Sequence, residues 1–317
     1  MRCACAALLL AICLSAGHLS AQIRTPQPVT DHFERGNKKL RQGDLDGAIS
    51  ELSEAIALSL PFDRSRSASP NALSSNFANP ADDPSGVVLI DPVIADAYTS
   101  RGLARYRQGD VAGAMLDWDR AIKINPGLAA AYLNRGCGHY AKGDTAGALS
   151  DWNRALTINP RLSDAYSNRG AVRQHLGDTD QAITDLNLAI QLDPKNPHSY
   201  VHRGYAWIDK QDSQRAMADF DRAIALDSTI AWAYQGRGTV KMSASNLDSA
   251  ISDFNKALEL DPTMANALMN RGLAQLIQGK DNEAGKDFDR ALILKPEIKG
   301  ELNRRIMTAE TIRSARH

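Results

Sequence analysis

The sequence has no excess of charge. Its 37 lysines and arginines are matched by 37 aspartates and glutamates, for a net charge of zero. That balance removes the electrostatic reason to expect nucleic acid or an anionic membrane surface as a partner. Aromatic residues are few, at 6 %, which fits a soluble, alanine-rich helical chain. Cysteine is scarcer still. Cys3, Cys5 and Cys13 fall in the first 21 residues, leaving Cys137 alone in the remainder. A fold closed by internal disulfides is therefore not expected, and Cys137 reads as a small buried hydrophobe. There is no glycine-rich loop of the kind that cradles phosphate. No Ser/His/Asp or paired-carboxylate set stands apart from the repeated pattern described below. His198 and His202 lie one helical turn apart, a spacing that can hold a metal, but no glutamate follows as in HExxH and further ligands are missing. They read as surface histidines, and neither a metal nor a cofactor is expected.

One apolar run is present, at the N-terminus. Arg2 precedes an apolar stretch over residues 4–16, and Leu19-Ser20-Ala21 offers a cleavage site before Gln22. This predicts a signal peptide over residues 1–21, followed by a linker over 22–28 and an exported, periplasmic or secreted product with no membrane insertion after cleavage. The alternative is an uncleaved membrane anchor, although the run is shorter than the ~20 residues a spanning helix needs.

What fills the rest of the chain is repetition. Arg-Gly dipeptides begin at Arg101, Arg135, Arg169, Arg203, Arg237 and Arg271, each 34 residues after the last. Prolines keep the same interval at Pro92, Pro126, Pro160, Pro194, Pro262 and Pro296, with Ser228 in the remaining slot. A fixed period in this range means one supersecondary unit stacked repeatedly. In the copy spanning 129–162, apolar and small residues recur at helical spacing in two blocks, separated by Gly143-Asp144. A glycine there suits the left-handed residue past one helix, and the aspartate can cap the next. Pro160 ends the second helix. Each copy is thus predicted to be a hairpin of antiparallel helices. Gly136, Ala148 and Ala155 mark close approach, while Tyr132 and Trp152 fill the gaps between helices.

With Tyr132, Gly136, Gly143, Ala148, Trp152, Ala155 and Pro160 in these places, the unit resembles a tetratricopeptide repeat. The resemblance implies an all-α, right-handed solenoid. A divergent first repeat occupies 29–60, a Pro/Ser/Asn-rich insertion 61–91, and six tandem repeats 92–298, in frames starting at 95, 129, 163, 197, 231 and 265. An apolar stripe of Leu302, Ile306, Ala309 and Ile312 predicts a capping helix over 299–317. The insertion, which carries Phe62 and Phe77, reads as a surface loop without a core of its own.

Repetition lets the chain act as its own control, because what recurs in every copy is framework. An acid stands sixteen residues after each arginine, from Arg35/Glu51 and Arg101/Asp117 to Arg271/Asp287. A catalytic site is needed once, so these seven pairs are predicted to be structural ion pairs within each hairpin, worth about 0–1 kcal/mol if partly exposed. Aromatics that the framework does not demand are Phe33, Tyr106, Tyr140, Tyr205 and Trp232. The family resemblance places all five on first-helix positions that line a concave groove. Tyr106 and Tyr140 share a position that is apolar or aromatic in nearly every copy and so also suits packing. Phe33, Tyr205 and Trp232 occupy positions whose residues vary. The neighbouring polar set is Arg41, Asp96, Arg107, Asp164, His175, His198, Asp209, Gln235 and Asn266. It mixes signs and lacks the Lys/Asn clamp for a terminal carboxylate found in chaperone-binding members. The expectation is a non-enzymatic adaptor that holds a protein or peptide segment of unknown identity in this groove; the alternative is a self-associating organiser of an envelope assembly.

Overall fold

The computed structural model describes residues 27–59 and 92–315. The predicted signal peptide, most of the linker and the 61–91 insertion with Phe62 and Phe77 lie outside the described residues. Within them the chain is all-helical, a tetratricopeptide-like α-solenoid of paired helices, and it divides into two compact units, residues 1–160 and 161–317.

In the first unit, α1 (Gln27–Gln42) pairs with α2 (Leu45–Ser59), α3 (Pro92–Gln108) with α4 (Val111–Ile124), and α5 (Ala129–Ala141) with α6 (Thr145–Ile158). First helices also touch first helices, α1 on α3 and α3 on α5. The second unit repeats the scheme. There α7 (Ser163–His175) pairs with α8 (Thr179–Leu192), α9 (Pro197–Asp209) with α10 (Ser213–Leu226), α11 (Ala231–Ser243) with α12 (Leu247–Leu260), and α13 (Ala265–Ile277) with α14 (Asp281–Leu294). After a 3-10 turn at Pro296–Ile298, α15 (Lys299–Ser314) packs on α13.

The turn chemistry follows the expected logic. Gly143 has φ +82°, and the Asp144 carboxylate accepts the Gly147 N–H at 2.9 Å to cap α6. Asp110 and Asp212 cap α4 and α10 in the same way. Two turns lack the glycine, so Gln211 and Ser245 adopt φ +60° and +61°, a left-handed conformation that a side chain makes unfavourable.

The core of each hairpin is a large apolar side chain, aromatic in five of the seven, seated on a glycine. Trp152 is fully buried, and its indole N–H donates to the Leu133 carbonyl at 3.2 Å. A Cβ on Gly136 would stand 2.6 Å from that indole nitrogen, so only glycine admits the ring. Trp118 and Phe220 are likewise buried, and Leu52 and Leu186 take the slot in the copies without an aromatic.

The arginine–acid ladder forms in all seven hairpins and is tighter than expected. From Arg101 to Arg271, each arginine donates Nε and Nη2 to both oxygens of its aspartate, as in Arg101–Asp117 at 2.9 and 2.7 Å and Arg237–Asp253 at 2.9 and 2.7 Å. The aspartates are buried, Asp117 completely, while the arginine side chains stay partly exposed, from 10 % at Arg101 to 22 % at Arg135. The ladder is also not confined to single hairpins. Nη1 of Arg135 reaches Asp119 at 2.8 Å, that of Arg237 reaches Asp221 at 2.8 Å, and those of Arg203 and Arg271 reach Asn187 and Asn255 at 2.7 Å. Each of these four guanidiniums thus ties its own second helix to the preceding one. Hydrogen bonds donated to the aspartates hold Arg135 and Arg237 firmly in the charged form. The tyrosine three residues earlier lies against the same guanidinium, as Tyr132 does at 5.5 Å from Arg135.

Cys137 is buried as expected, at 1 % exposure. The chain's other cysteines lie outside the described residues.

Candidate functional site

Seven hairpins share one framework, and the candidate residues lie at first-helix positions that differ between the copies. The structure packs all five surplus aromatics against the framework. Tyr106 leans on Trp118 at 5.8 Å between centroids and Tyr140 on Trp152 at 6.3 Å. Phe33 packs into the apolar cluster of Leu52, Ile56, Ile94 and Tyr98. Tyr205 sits edge-on to Phe220 at 5.2 Å and to Trp232 at 6.4 Å, and its hydroxyl donates to the Trp232 carbonyl at 2.9 Å. Burial drives the Tyr205 hydroxyl far above the usual tyrosine range. Trp232 is half-buried between two core clusters.

The polar candidates fall into two sets, one in each unit. In the first unit, Asp96 stands in the first turns of α3, and burial raises its carboxyl above the ordinary value. At the C-terminal ends, Arg41 of α1 is exposed and Arg107 of α3 is half-buried. Arg107 touches the Leu40 carbonyl through Nη1 at 3.5 Å, while its Nε is buried without a partner. Burial lowers the pKa of this guanidinium, the reverse of the shift at Arg135.

In the second unit, Asp164 begins α7, half-buried, with the Asn196 amide 3.5 Å away. Burial, aided by the nearby charge of Asp193, pushes its carboxyl up to about 6. Asn196 also caps α9 by accepting the His198 N–H at 3.0 Å, so Asp164 and His198 stand on either side of one residue. His198 is held below the ordinary histidine range by burial, partly offset by Asp227. His202, one turn on, has a buried Nδ1 with no partner, and burial together with His198 and His175 drives it down to about 3. The reading of both as surface histidines is therefore corrected: both rings are half-buried, and the His202 Nδ1 is fully covered. His175 is exposed at the end of α7, its ring within hydrogen-bonding distance of the Ala171 carbonyl. Asp209 accepts the Gln174 amide at 2.6 Å. Gln235 is 5 % exposed with an unpartnered Oε1, and Asn266 is half-buried in the first turn of α13.

The sequence reading missed Arg305. It lies 34 residues after Arg271, continuing the arginine series into α15. Its Nη2 donates to the Asn270 amide oxygen at 2.9 Å, and its Nη1 lies 3.7 Å from the Glu301 carboxylate. Extending the arithmetic by one period would have found it. The α15 stripe is buried at Leu302 and Ala309 but open at Ile312, which is 42 % exposed.

Among the described residues no group of three or more His, Cys, Asp or Glu is placed to hold a metal, and no helix is long and apolar enough to cross a membrane.

A family model described as ETO1 C-terminal domain matches residues 110–274, more than half of the chain, and one described as Tetratricopeptide repeat matches residues 85–130. No curated protein gives a significant sequence match. Among solved structures, the chain is similar to a tetratricopeptide repeat protein from Parabacteroides merdae ATCC 43184, at 20 % identity and TM-score 0.58 over 89 % of this chain and 99 % of that one. It is also similar to a chain of the APC/C hetero-tetramer Cut9–Hcn1, at 14 % identity and TM-score 0.62 over 90 % of this chain and 57 % of that one. Pseudomonas aeruginosa pilF matches at 17 % identity and TM-score 0.56, over 64 % and 92 %. At these identities the likeness is one of fold.

Proposed function

The chain belongs to the tetratricopeptide-repeat family, in the group described as ETO1 C-terminal domain, and from that membership we propose that it is an exported binding scaffold. It holds an extended segment of a protein partner against its first helices and does no chemistry of its own. Export rests on the charged, apolar and small-residue order of residues 1–21.

One observation carries the binding reading. The residues that recur in every copy are spent on the fold, whereas the residues that differ between copies include polar groups the fold leaves unsatisfied. Arginine, aspartate, glycine and aromatic of the framework are paired or buried. Arg107 Nε, His202 Nδ1 and Gln235 Oε1 are buried without partners. Stacked hairpins present such groups on a preformed surface, so a segment binds with little ordering cost on the scaffold's side.

Panning a random peptide library on the full chain tests this. The reading expects enriched peptides whose binding is lost when His175 and Arg41, exposed first-helix residues, are replaced by alanine. The same replacement of Arg222 and Arg290, exposed on second helices, should leave binding intact. Peptides insensitive to the first pair and sensitive to the second would place binding on the opposite face. Concentration-dependent sedimentation of the chain alone would favour self-association instead.

A further inference from the structure

Within the units, a second helix is covered by the first helix that follows it: α2 by α3, α4 by α5, α8 by α9, α10 by α11 and α12 by α13. The covering helix meets the earlier hairpin through small residues, because the aromatic of that hairpin lies directly beneath. A Cβ on Gly138 of α5 would stand 2.9 Å from the Trp118 ring, and one on Gly236 of α11 would collide with Phe220. The arginine of the covering helix then reaches back with Nη1 to an acid or amide on the covered helix. Arg135 finds Asp119 in this way, Arg203 Asn187, Arg237 Asp221 and Arg271 Asn255.

At the C-terminal end, α14 presents its half of this joint without the other half. Asp289 stands 34 residues after Asn255, is exposed, and has no ion pair or hydrogen bond among the described residues. Phe288 is only half-buried, whereas Trp118, Trp152, Phe220 and Phe254 are covered completely. Leu294 is 43 % exposed and Ile293 79 %, and a Cβ on Gly285 would meet nothing within 4 Å. The next helix in the chain, α15, begins in the right register but has the wrong face. It carries Glu301, Arg304 and Thr308 where α13 has Ala267, Asn270 and Ala274, and burying those charges unpaired is unfavourable. It lies on α13 instead, with Arg305 on Asn270 and Arg313 on Asp281 at 2.6 Å.

A second copy stacked end to end fits no better. Its α1 has Asp31, Glu34 and Lys38 at the same three positions, so the stack would press three charged side chains onto Phe288 and Leu294. The joints inside the chain define what does fit. We propose that α14 is a docking face for one amphipathic helix of a partner protein. That helix carries small residues spaced as Ala267, Asn270 and Ala274 are, with an arginine directly after the second, and the arginine pairs with Asp289. The face is a site apart from the first-helix surface and stands whether or not that surface binds.

The probe is a fluorescein-labelled peptide copying residues 262–278, which includes α13 and therefore the complete covering face. It is titrated by anisotropy against the full chain, and saturable binding is expected. Asp289→Lys should weaken it by about ten- to hundredfold, the effect of losing a charge-assisted hydrogen bond. The peptide with Arg271→Glu should fail on the wild type and regain binding on Asp289→Lys. Glu283→Lys makes the same change of charge at another exposed position of α14 and should leave binding unaltered. Absence of binding, or equal affinity for the wild type and Asp289→Lys, overturns the docking face. So does binding that survives Asp289→Lys and is lost when His175 and Arg41 are replaced by alanine, which would move the peptide to the first-helix surface. A wild type that dimerises on sedimentation, with Asp289→Lys monomeric, overturns the partner assignment in favour of a second copy.

Discussion

Replacing Asp117 by alanine isolates the device that holds the stack together. Its carboxylate is completely buried and accepts Nε and Nη2 of Arg101 at 2.9 and 2.7 Å and Nη1 of Arg105 at 2.8 Å. Arg101 is itself only 8 % exposed, and its remaining partner is the Ser53 hydroxyl at 3.0 Å. Alanine at 117 therefore strands a buried guanidinium. Breaking one side of a buried ion pair costs about 3–5 kcal/mol, whereas replacing both sides with apolar groups of similar volume is often neutral. Asp117→Ala should lose stability in that range, and the Arg101→Met/Asp117→Leu double variant should recover most of it. Urea unfolding followed by tryptophan fluorescence reads the difference, because Trp118 lies next to the pair and each repeat is coupled mainly to its neighbours. A loss under about 1 kcal/mol would be the behaviour of an exposed pair. It would refute the claim that burial makes the ladder matter.

Other predictions concern the hairpin core, the turns and the groove. Trp152→Ala should cost about 3–5 kcal/mol for a fully buried ring, and a variant melting like the wild type would refute its place in the core. Gln211→Gly, which relieves φ +60°, should stabilise by about 0.5–1 kcal/mol net of the added chain entropy; thermal unfolding would show a lower melting temperature if the turn were not strained. Asp164→Asn should be stabilising in a pH-dependent way. Above about 6 the native carboxylate is charged and half-buried, whereas the unfolded one is charged from about 3.9 upwards in water. The wild type thus loses stability as pH rises through that window. The variant's advantage should be on the order of 2–3 kcal/mol at pH 8 and vanish below the unfolded value. An equal advantage at both pH values would contradict the desolvated carboxyl.

The fold was legible because a 34-residue period repeats its evidence. Gly143 and Asp144 set the turn chemistry, Gly136 and Trp152 the core contact, and Arg135 with Asp151 the ion pair, each confirmed several times over in the same chain. Burial was not legible. The spacing of Arg237 and Asp253 implied an ion pair, but not that the carboxylate is buried or that the same guanidinium reaches Asp221 on the preceding hairpin. The candidate site was legible only as positions. His198 and His202 read as a surface pair because one-turn spacing says nothing of what covers a ring, and the structure gives His202 a buried nitrogen. Tyr205 read as a groove aromatic, whereas its hydroxyl is consumed by the Trp232 carbonyl. Arg107 was one polar candidate among nine, and what separates it is the lack of an acceptor, which no sequence pattern records.

The account's central claim is that the first helices form the binding face. In-cell photo-crosslinking tests it most directly, with a photoreactive residue at exposed His175 on α7 and, as control, at exposed Arg222 on α10. A discrete crosslinked protein from position 175 alone is the predicted result. Crosslinks from position 222 alone, or products linking the chain only to itself, would contradict it.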